Sequence, residues 1–388
     1  MTIPVVAEAI NGAAADPERT LLEKLSTLAR IDAETPDIDF IKSLPITITD
    51  CSSNPRFIYD AITDPVNRDL VEETIRENRD KSFEQLYPLI FGRFHAKVIS
   101  HISGRVIASA YTSMNGDVQK LVKCGRQFVE GWKAAGIPLD RVCIKISLTG
   151  NGAAAAAILA KEGIPVSGTT VFSVAQAVAA QQAGLHSIHL YFNDPVASTG
   201  PAVWPDVPDP ATQHTFACRH ARIRKVYNLL AKQGGTVPLI KTSAFQSGRE
   251  VAAVLELGAD HITAIKLFLD DLTCGSGLPK YRQGLWRVPV RQQMEQAEFE
   301  WEDWEPVPTE LSKKRMAELI KHDPLTTGAD NDWLEQALST NYLAPGVLDG
   351  CIQEDAVTWE RLGRKLTQFT EWESKTRDYI ALLQKDLA

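Results

Sequence analysis

Short apolar segments alternate with helical stretches along most of this chain, and this alternation limits the folds available to it. Eight segments are predicted to be β-strands: 28–32, 46–50, 105–111, 142–147, 165–171, 187–192, 237–241 and 262–266. Helical patterns lie between most of them. Such alternation is typical of βαβ units in a parallel sheet, and eight units favour a closed barrel over an open sheet. The sequence therefore predicts an α/β fold, namely a (β/α)8 TIM barrel.

Two stretches depart from this pattern. Residues 194–214 contain five prolines and are predicted to form a long loop after the sixth strand. Residues 273–356 are rich in tryptophan, proline and charge, and are predicted to be an insertion followed by extra helices. This segment either packs as an extension, covers the barrel mouth or forms a contact in a homodimer through its tryptophans, which are Trp286, Trp301, Trp304 and Trp333. With a helical stretch at 359–387, the prediction is one barrel domain over residues 1–388 with a C-terminal helical extension.

Composition and charge exclude several classes of function. The formal net charge is −8, so no basic face is implied, and neither nucleic acid nor an anionic membrane is an expected partner. No run approaches the length of a membrane span, and the first twenty residues lack the pattern of a secretory signal. Six scattered cysteines without a C-x-x-C pair are typical of a reduced intracellular protein, which predicts a cytoplasmic location.

A lysine is predicted to lie inside the barrel. Successive strand residues point to opposite faces, so the three apolar side chains of segment 142–147 suit the helix-facing side, whereas Lys145 points inward with Cys143 and Ser147. Burying an ammonium is costly unless it is paired or neutral. A buried lysine tends to have a lowered pKa, which an amine nucleophile needs. The alternative interpretation is a structural lysine in an interior salt bridge.

Other polar side chains are predicted to share this interior. In the sixth predicted strand, Ser187, His189 and Tyr191 alternate with apolar residues, and in the third predicted strand Ser109 shares a face with Arg105. Polar groups that converge on one lumen are typical of a pocket for a small molecule.

Several segments together resemble the transaldolase family. They are DCSSNPRFI at 50–58, GRVIASAY at 104–111, RVCIKISLTGNG at 141–152, KEGIPVSGTTVFSVAQAVAAQQAG at 161–184 and GREVAAVLELGADHITA at 248–264. The resemblance implies a (β/α)8 barrel with class I aldol chemistry on a carbonyl or sugar substrate, without a metal or another cofactor.

The resemblance also implies roles for four residues. Lys145 falls on the lysine that forms the Schiff base, and Asp32 falls on the first-strand aspartate that acts as acid and base. Asn54 falls on the asparagine that contacts the substrate, and Thr169 falls on the threonine that helps to hold the catalytic water. In this chemistry a neutral lysine condenses with a ketone to give an iminium. The iminium withdraws electrons from the neighbouring carbon–carbon bond while a carboxylate removes the proton of the alcohol.

The sequence departs from the family pattern at several interior positions. Ser109 stands in place of the glutamate that activates water, and Ser167 stands in place of an asparagine. His189 and Tyr191 replace a serine and a phenylalanine on the sixth predicted strand. We expect His189 or Tyr191 to supply the missing proton-transfer group.

Both positions of the family's phosphate-binding cations are also changed. Asp194 stands where an arginine binds phosphate, and Gln246 stands where the second cation lies. A carboxylate repels phosphate, whereas charge-assisted bonds to phosphate are the strong kind. Arg249, three residues from Gln246, is a possible replacement, and Lys241 and Lys266 are alternatives as an anion ligand or as the reactive amine.

We therefore expect a transaldolase-like lyase or transferase that acts on a non-phosphorylated or differently charged carbonyl compound. The first alternative is an ordinary transaldolase of the pentose phosphate pathway, with phosphate held by other residues. The second is a barrel that has lost catalysis and serves as a binding protein. The joint presence of Asp32, Asn54, Lys145 and Thr169 argues against this second alternative.

Overall fold

The computed structural model describes residues 20–197, 204, 207–273, 309–327 and 330–387. Their core is a parallel sheet with the strand order β1-β7-β6-β5-β4-β3-β2. The seven strands are β1 Arg30–Ala33, β2 Val106–Ser109, β3 Val142–Ser147, β4 Val166–Val171, β5 Ser187–Tyr191, β6 Leu239–Ser243 and β7 His261–Ala264. This arrangement confirms the predicted α/β fold of the TIM-barrel type.

The predicted strand at 46–50 is wrong, because this segment forms no strand. Only Cys51 makes parallel bridges, one to Ala33 of β1 and one to Val106 of β2, and these bridges join the two edge strands of the sheet. The pairing here is irregular, although backbone hydrogen bonds to both neighbours remain, such as Thr49 N–H to the Ile31 carbonyl and Cys51 N–H to the Arg105 carbonyl. The Asp50 carboxylate accepts the backbone N–H of Arg105 at 2.6 Å, and a side chain that binds the backbone in this way competes with regular strand pairing.

Helices connect and cover these strands. Those before β5 are α1 Leu21–Ser26, α2 Ile38–Ser43, α3 Pro55–Thr63, α4 Arg68–Glu77, α5 Phe83–Val98, α6 Val118–Ala134, α7 Gly150–Lys161 and α8 Val174–Gln182. Those after β5 are α9 Pro210–Gln213, α10 Ala217–Lys232, α11 Gly248–Glu256, α12 Lys266–Thr273, α13 Thr309–Leu319, α14 Trp333–Ser339, α15 Val347–Glu354 and α16 Ala356–Asp386. Side-chain caps begin many of them, such as Asn54 at α3 and Thr149 at α7.

The two irregular stretches are described in part. The loop predicted at 194–214 contains the short helix α9, and residues 198–203 and 205–206 lie outside the described residues. Of the predicted insertion, residues 274–308 lie outside the described residues, and so do Trp286, Trp301 and Trp304. Trp333 begins α14, and the Arg222 guanidinium lies 4.5 Å from the centre of its ring. This tryptophan therefore packs against α10.

The 31-residue helix α16 brings the C-terminal part of the chain to the barrel mouth. Its start is fixed by Arg219 of α10, which donates to Asp355, to the Thr358 hydroxyl at 3.0 Å and to the carbonyl of Phe172 just after β4. Because Arg219 is buried and Asp355 is half-buried, this charged contact is shielded from water and holds the first turn of α16 against the carboxyl end of β4. The predicted helical extension is confirmed. No helix in the described part of the chain is long and apolar enough to cross a bilayer.

Candidate active site

The sheet register places three sequence-predicted side chains side by side. Ser109 of β2 is paired with Lys145 of β3, and Lys145 is paired with Ser167 of β4. Lys145 and Ser167 are buried, and Ser109 is half-buried. Ser109 donates to the carbonyl of Ser53, and Ser167 accepts from the Ser187 hydroxyl at 2.8 Å. The two hydroxyls therefore bond to other groups, and neither makes a direct hydrogen bond to the Lys145 amine.

The amine of Lys145 lies in a partly compensated environment. Its Nζ donates to the Ser52 hydroxyl at 3.0 Å and lies 3.6 Å from a carboxylate oxygen of Glu34. Burial lowers the pKa of Lys145, the Glu34 carboxylate opposes this change, and the positive charge of Lys241 adds to the lowering. The net shift is towards the neutral amine, which is the form that attacks a carbonyl.

Glu34 is a site residue that the sequence interpretation missed. It follows β1 directly, and it also accepts a hydrogen bond from the side-chain amide of Asn54 at 3.2 Å. The Asn54 carbonyl oxygen caps α3 by accepting from the N–H groups of Arg56 and Phe57, so its amide is fixed towards Glu34. The available signal was strand alternation, because a residue two positions after Asp32 faces the same side.

Asp32 lies in a different cluster. Its carboxylate accepts from Lys241 at 2.8 Å and from the Thr263 hydroxyl, and it contacts the Nδ1 atom of His261 at 2.9 Å. Lys241 also donates to Asp50. Burial raises the pKa of Asp32, but Lys241 and His261 outweigh it and lower the pKa to about 2. The structure therefore places Asp32 with Lys241, whereas Glu34 is the carboxylate beside Lys145.

Lys241 does not compete for the role of reactive amine. Burial would lower its pKa, but Asp32 and Asp50 raise it, so the ammonium stays charged. Asp32, Asp50 and His261 hold oxygen and nitrogen atoms close enough together to resemble a metal site. The Lys241 ammonium, however, makes hydrogen bonds to the two carboxylates and lies 3.3 Å from the His261 Nδ1 atom. It thereby supplies the positive charge that a metal would bring. Lys266, the other alternative, is exposed and pairs with Asp37 at 2.6 Å.

His189, Tyr191 and Thr169 contribute polar groups to the interior. Burial lowers the pKa of His189 far below its usual value, and the charges of Lys145 and Lys241 act in the same direction, so the ring is neutral. Its Nε2 atom has no hydrogen-bond partner among the described residues. Burial raises the pKa of Tyr191, and the Glu34 carboxylate raises it further. The Thr169 hydroxyl is buried without a geometrically regular hydrogen bond to the described residues.

Two residues near the carboxyl ends of the strands have strained backbones. Thr170 of β4 has a φ of 56°, and Ala244, just after β6, has a φ of 66°. Both values lie in the left-handed region that residues with a Cβ rarely adopt, and such strain clusters at functional sites. At Thr170 the pairing register with β5 also shifts between Gly168 and Val171. This shift lies directly beside Thr169.

A cavity of about 180 Å³ opens at the carboxyl ends of the strands. The barrel contributes Glu34, Asn54, Tyr191 and Gln246, and the Lys145 amine lies 3.6 Å from the Glu34 carboxylate. Helix α16 contributes the other side of the cavity through Lys365, Gln368, Phe369 and Trp372. In TIM barrels the active site lies at this end of the strands. The contribution of α16 is a second feature that strand reasoning did not reveal.

The positions expected to have lost phosphate ligands are also at this mouth. Asp194 lines the cavity and pairs with Arg361 at 3.2 Å and Arg364 at 3.1 Å. Gln246 is buried, and its backbone N–H donates to Glu250 at 2.7 Å. Arg249 lies in α11, and its side chain is outside the described residues.

These features define a class of protein: a parallel β/α-barrel with a buried amine, an adjacent carboxylate and a small pocket at the carboxyl ends of its strands is a barrel enzyme. The chain matches the family model for Transaldolase/Fructose-6-phosphate aldolase over residues 31–318, and it belongs to this family. It is accordingly an enzyme of the aldolase or transferase type.

Named relatives agree with this assignment. A transaldolase of Trichormus variabilis is 29% identical over 277 residues, which cover 68% of this chain and 79% of that protein. A transaldolase of Methylobacillus flagellatus is 27% identical over 267 residues, which cover 66% and 80%. A transaldolase of Prochlorococcus marinus is 27% identical over 271 residues, which cover 66% and 75%.

Proposed function

We propose that this enzyme makes or breaks a carbon–carbon bond through a Schiff base between Lys145 and a carbonyl substrate. The observation that carries the proposal is a buried amine whose pKa is lowered and which lies 3.6 Å from a carboxylate at the edge of a cavity. Burial disfavours the ammonium form, and the neutral amine is the nucleophile. Ser52 orients this amine through a hydrogen bond of 3.0 Å.

The steps balance with the groups present. The Lys145 amine adds to a ketone, and loss of water gives an iminium. The bond between the α and β carbons of the iminium breaks, and its electron pair forms an enamine. The hydroxyl on the β carbon loses its proton at the same time, and that carbon becomes an aldehyde. The enamine then attacks an acceptor aldehyde, or it takes up a proton and water hydrolyses the imine. The reverse order forms the bond.

We assign the proton transfer to Glu34 in place of Asp32. Glu34 lines the cavity and contacts both Lys145 and Asn54. Asp32 is fully buried and is bonded to Lys241 and His261, so it has no route to a substrate alcohol at the mouth. A general base must come within hydrogen-bond reach of the proton that it removes. His189 and the Tyr191 and Thr169 hydroxyls remain candidates to hold the water that hydrolyses the imine.

We further propose that the substrate carries no phosphate bound at residues 194 and 246. Asp194 brings a negative charge that Arg361 and Arg364 already bind, and Gln246 brings no charge. A phosphate ester of charge about −1.5 to −2 at neutral pH would therefore meet no free cation at these two positions.

Borohydride trapping tests the proposal. Hydroxyacetone and dihydroxyacetone are mixed with the wild-type protein, reduced, and analysed by peptide mass spectrometry. A stable adduct on Lys145 is expected. No adduct with any ketone would favour the alternative of a binding protein without catalysis. Efficient turnover of fructose 6-phosphate with erythrose 4-phosphate would contradict the proposed substrate, and would favour an ordinary transaldolase of the pentose phosphate pathway, the activity that the names of the relatives indicate.

A further inference from the structure

One charged group at the mouth of the cavity has no partner of opposite charge among the described residues. Lys365 of α16 lines the cavity, and its Nζ donates to the Gln368 side chain at 2.7 Å. The ammonium also lies over two aromatic rings, 5.5 Å from the centre of Tyr191 and 5.3 Å from the centre of Phe369. Among the described residues, no carboxylate lies within salt-bridge distance of it.

The other charges around the cavity are compensated. Asp194 pairs with Arg361 and Arg364, and Glu34 lies beside Lys145. Arg56, a cavity residue on α3, is exposed and lies 3.7 Å from Asp60. Lys365 is thus the lining cation whose charge the described residues leave unbalanced.

Burial makes the charged form of Lys365 energetically unfavourable. Burial lowers its pKa to about 8, the charges of Arg56 and Lys145 act in the same direction, and Glu34 and Asp194 oppose them. A partly desolvated cation without a carboxylate partner is typical of a binding position, because an anionic ligand restores the lost solvation.

We propose that Lys365 binds the anionic end of the substrate, and that this substrate is a carbonyl compound with a single carboxylate. The inference rests on the proposed function and names its substrate class. A monoanion matches one free ammonium. A phosphate ester would bring more charge than Lys365 can neutralise into a cavity that Glu34 and Asp194 also line. The Gln368 amide and the Tyr191 hydroxyl are further groups at this end of the cavity that can bind a carboxylate oxygen.

The helix gives Lys365 a fixed place. Arg219 anchors the first turn of α16 through Asp355 and Thr358, less than three turns before Lys365. In this proposal Lys365 determines substrate specificity from the C-terminal helix. It takes the place of the two cations that the family has at the positions of Asp194 and Gln246.

Selectivity in the trapping reaction tests this proposal. Three small ketones are compared: hydroxyacetone without charge, levulinate with a carboxylate and dihydroxyacetone phosphate with a phosphate. Wild-type protein is expected to prefer levulinate. Lys365→Met is expected to reduce the preference for levulinate over hydroxyacetone by about 10- to 100-fold, the usual value of one charged hydrogen bond. Lys365→Arg is expected to restore part of it, and Lys385→Met, a change at an exposed lysine of the same helix, serves as the matched control.

Two results would overturn the assignment. In one, Lys365→Met lowers trapping of neutral and charged ketones equally, as loss of packing would. In the other, wild-type protein prefers dihydroxyacetone phosphate. Calorimetric titration of levulinate into wild type and Lys365→Met separates this proposal from the Schiff base, because binding of the anion needs no imine. If no ketone forms an adduct, the catalytic proposal fails, and the difference in levulinate affinity still decides the role of Lys365.

Discussion

Two lysines of the barrel interior, Lys241 of β6 and Lys145 of β3, have surroundings that differ in a way that separates structure from chemistry. Lys241 contacts Asp32 at 2.8 Å and is also bonded to Asp50. Lys145 has one carboxylate at 3.6 Å and one hydroxyl at 3.0 Å. The pKa is raised for Lys241 and lowered for Lys145. Burial alone therefore does not make an amine reactive, and the number and closeness of the carboxylates decide its charge.

The two lysine clusters also differ in what they contribute to the fold. The Lys241 cluster joins β6 to β1, β7 and the segment before Cys51 through hydrogen-bonded charges, so it supports the part of the barrel where the strand pairing is irregular. The Lys145 cluster joins few elements, and its Glu34 lines the cavity. We expect mutations in the Lys241 cluster to change stability and mutations in the Lys145 cluster to change activity.

The largest expected effect is on activity at Lys145. Lys145→Met removes the nucleophile, so turnover should fall by about 10³-fold or more and the borohydride adduct should disappear. The free energy of unfolding should stay level or rise, because a buried amine with incomplete polar compensation is replaced by an apolar side chain. Steady-state kinetics and urea unfolding measure the two effects. An adduct that persists in this variant would place the reactive amine elsewhere.

A large loss of stability is expected at Lys241. Lys241→Met leaves two buried carboxylates without their cation, and such a change costs about 3–5 kcal/mol in the free energy of unfolding. The double variant Asp32→Asn with Lys241→Met should recover part of this loss, because it removes one of the uncompensated charges. Urea unfolding of the single and double variants provides the measurement. A loss below about 1 kcal/mol would show that the two lysine clusters contribute alike to stability.

Substitutions of Glu34 and of Asp32 are expected to change different properties, turnover in the first case and stability in the second. Glu34→Gln removes the proposed proton acceptor, so turnover should fall by about 10²-fold or more while trapping at Lys145 persists. Asp32→Asn should instead lower the free energy of unfolding and leave more activity per folded molecule. Single-turnover kinetics and unfolding curves of both variants test this. If Asp32→Asn instead abolishes turnover and Glu34→Gln mainly lowers stability, Asp32 has the acid–base role that the family resemblance implies.

The smallest expected effect concerns pH. Because the pKa of Asp32 is lowered from 3.8 to about 2 in the folded state, the folded protein holds this proton less tightly than the unfolded chain. Its contribution is therefore complete above pH 3.8 and is lost as the pH falls through about 2, with a size of about 2 kcal/mol. Unfolding free energies between pH 2 and 5 should lose this slope in Asp32→Asn and keep it in Glu34→Gln.

The sequence interpretation succeeded where the signal was local and periodic. Alternation along 142–147 placed Lys145 among buried residues of β3, and seven of the eight predicted strands are present. At 46–50 the structure has irregular pairing in place of a strand: backbone hydrogen bonds to both neighbours remain, but the Asp50 carboxylate takes the backbone N–H of Arg105, a contact between residues 55 apart in sequence. The family resemblance assigned the acid–base role to Asp32, and nothing in the sequence indicated the distant Lys241 that binds Asp32 or the place of Glu34 beside Lys145.

By itself, the sequence determined the parallel barrel and the lysine in its interior, because strand periodicity and the burial of apolar faces follow from neighbouring residues. Only the tertiary structure decided which carboxylate accompanies each lysine, and that α16 brings Lys365 to the cavity. Charge interactions depend on distance in space and on burial, and these are set by elements that lie far apart in the chain.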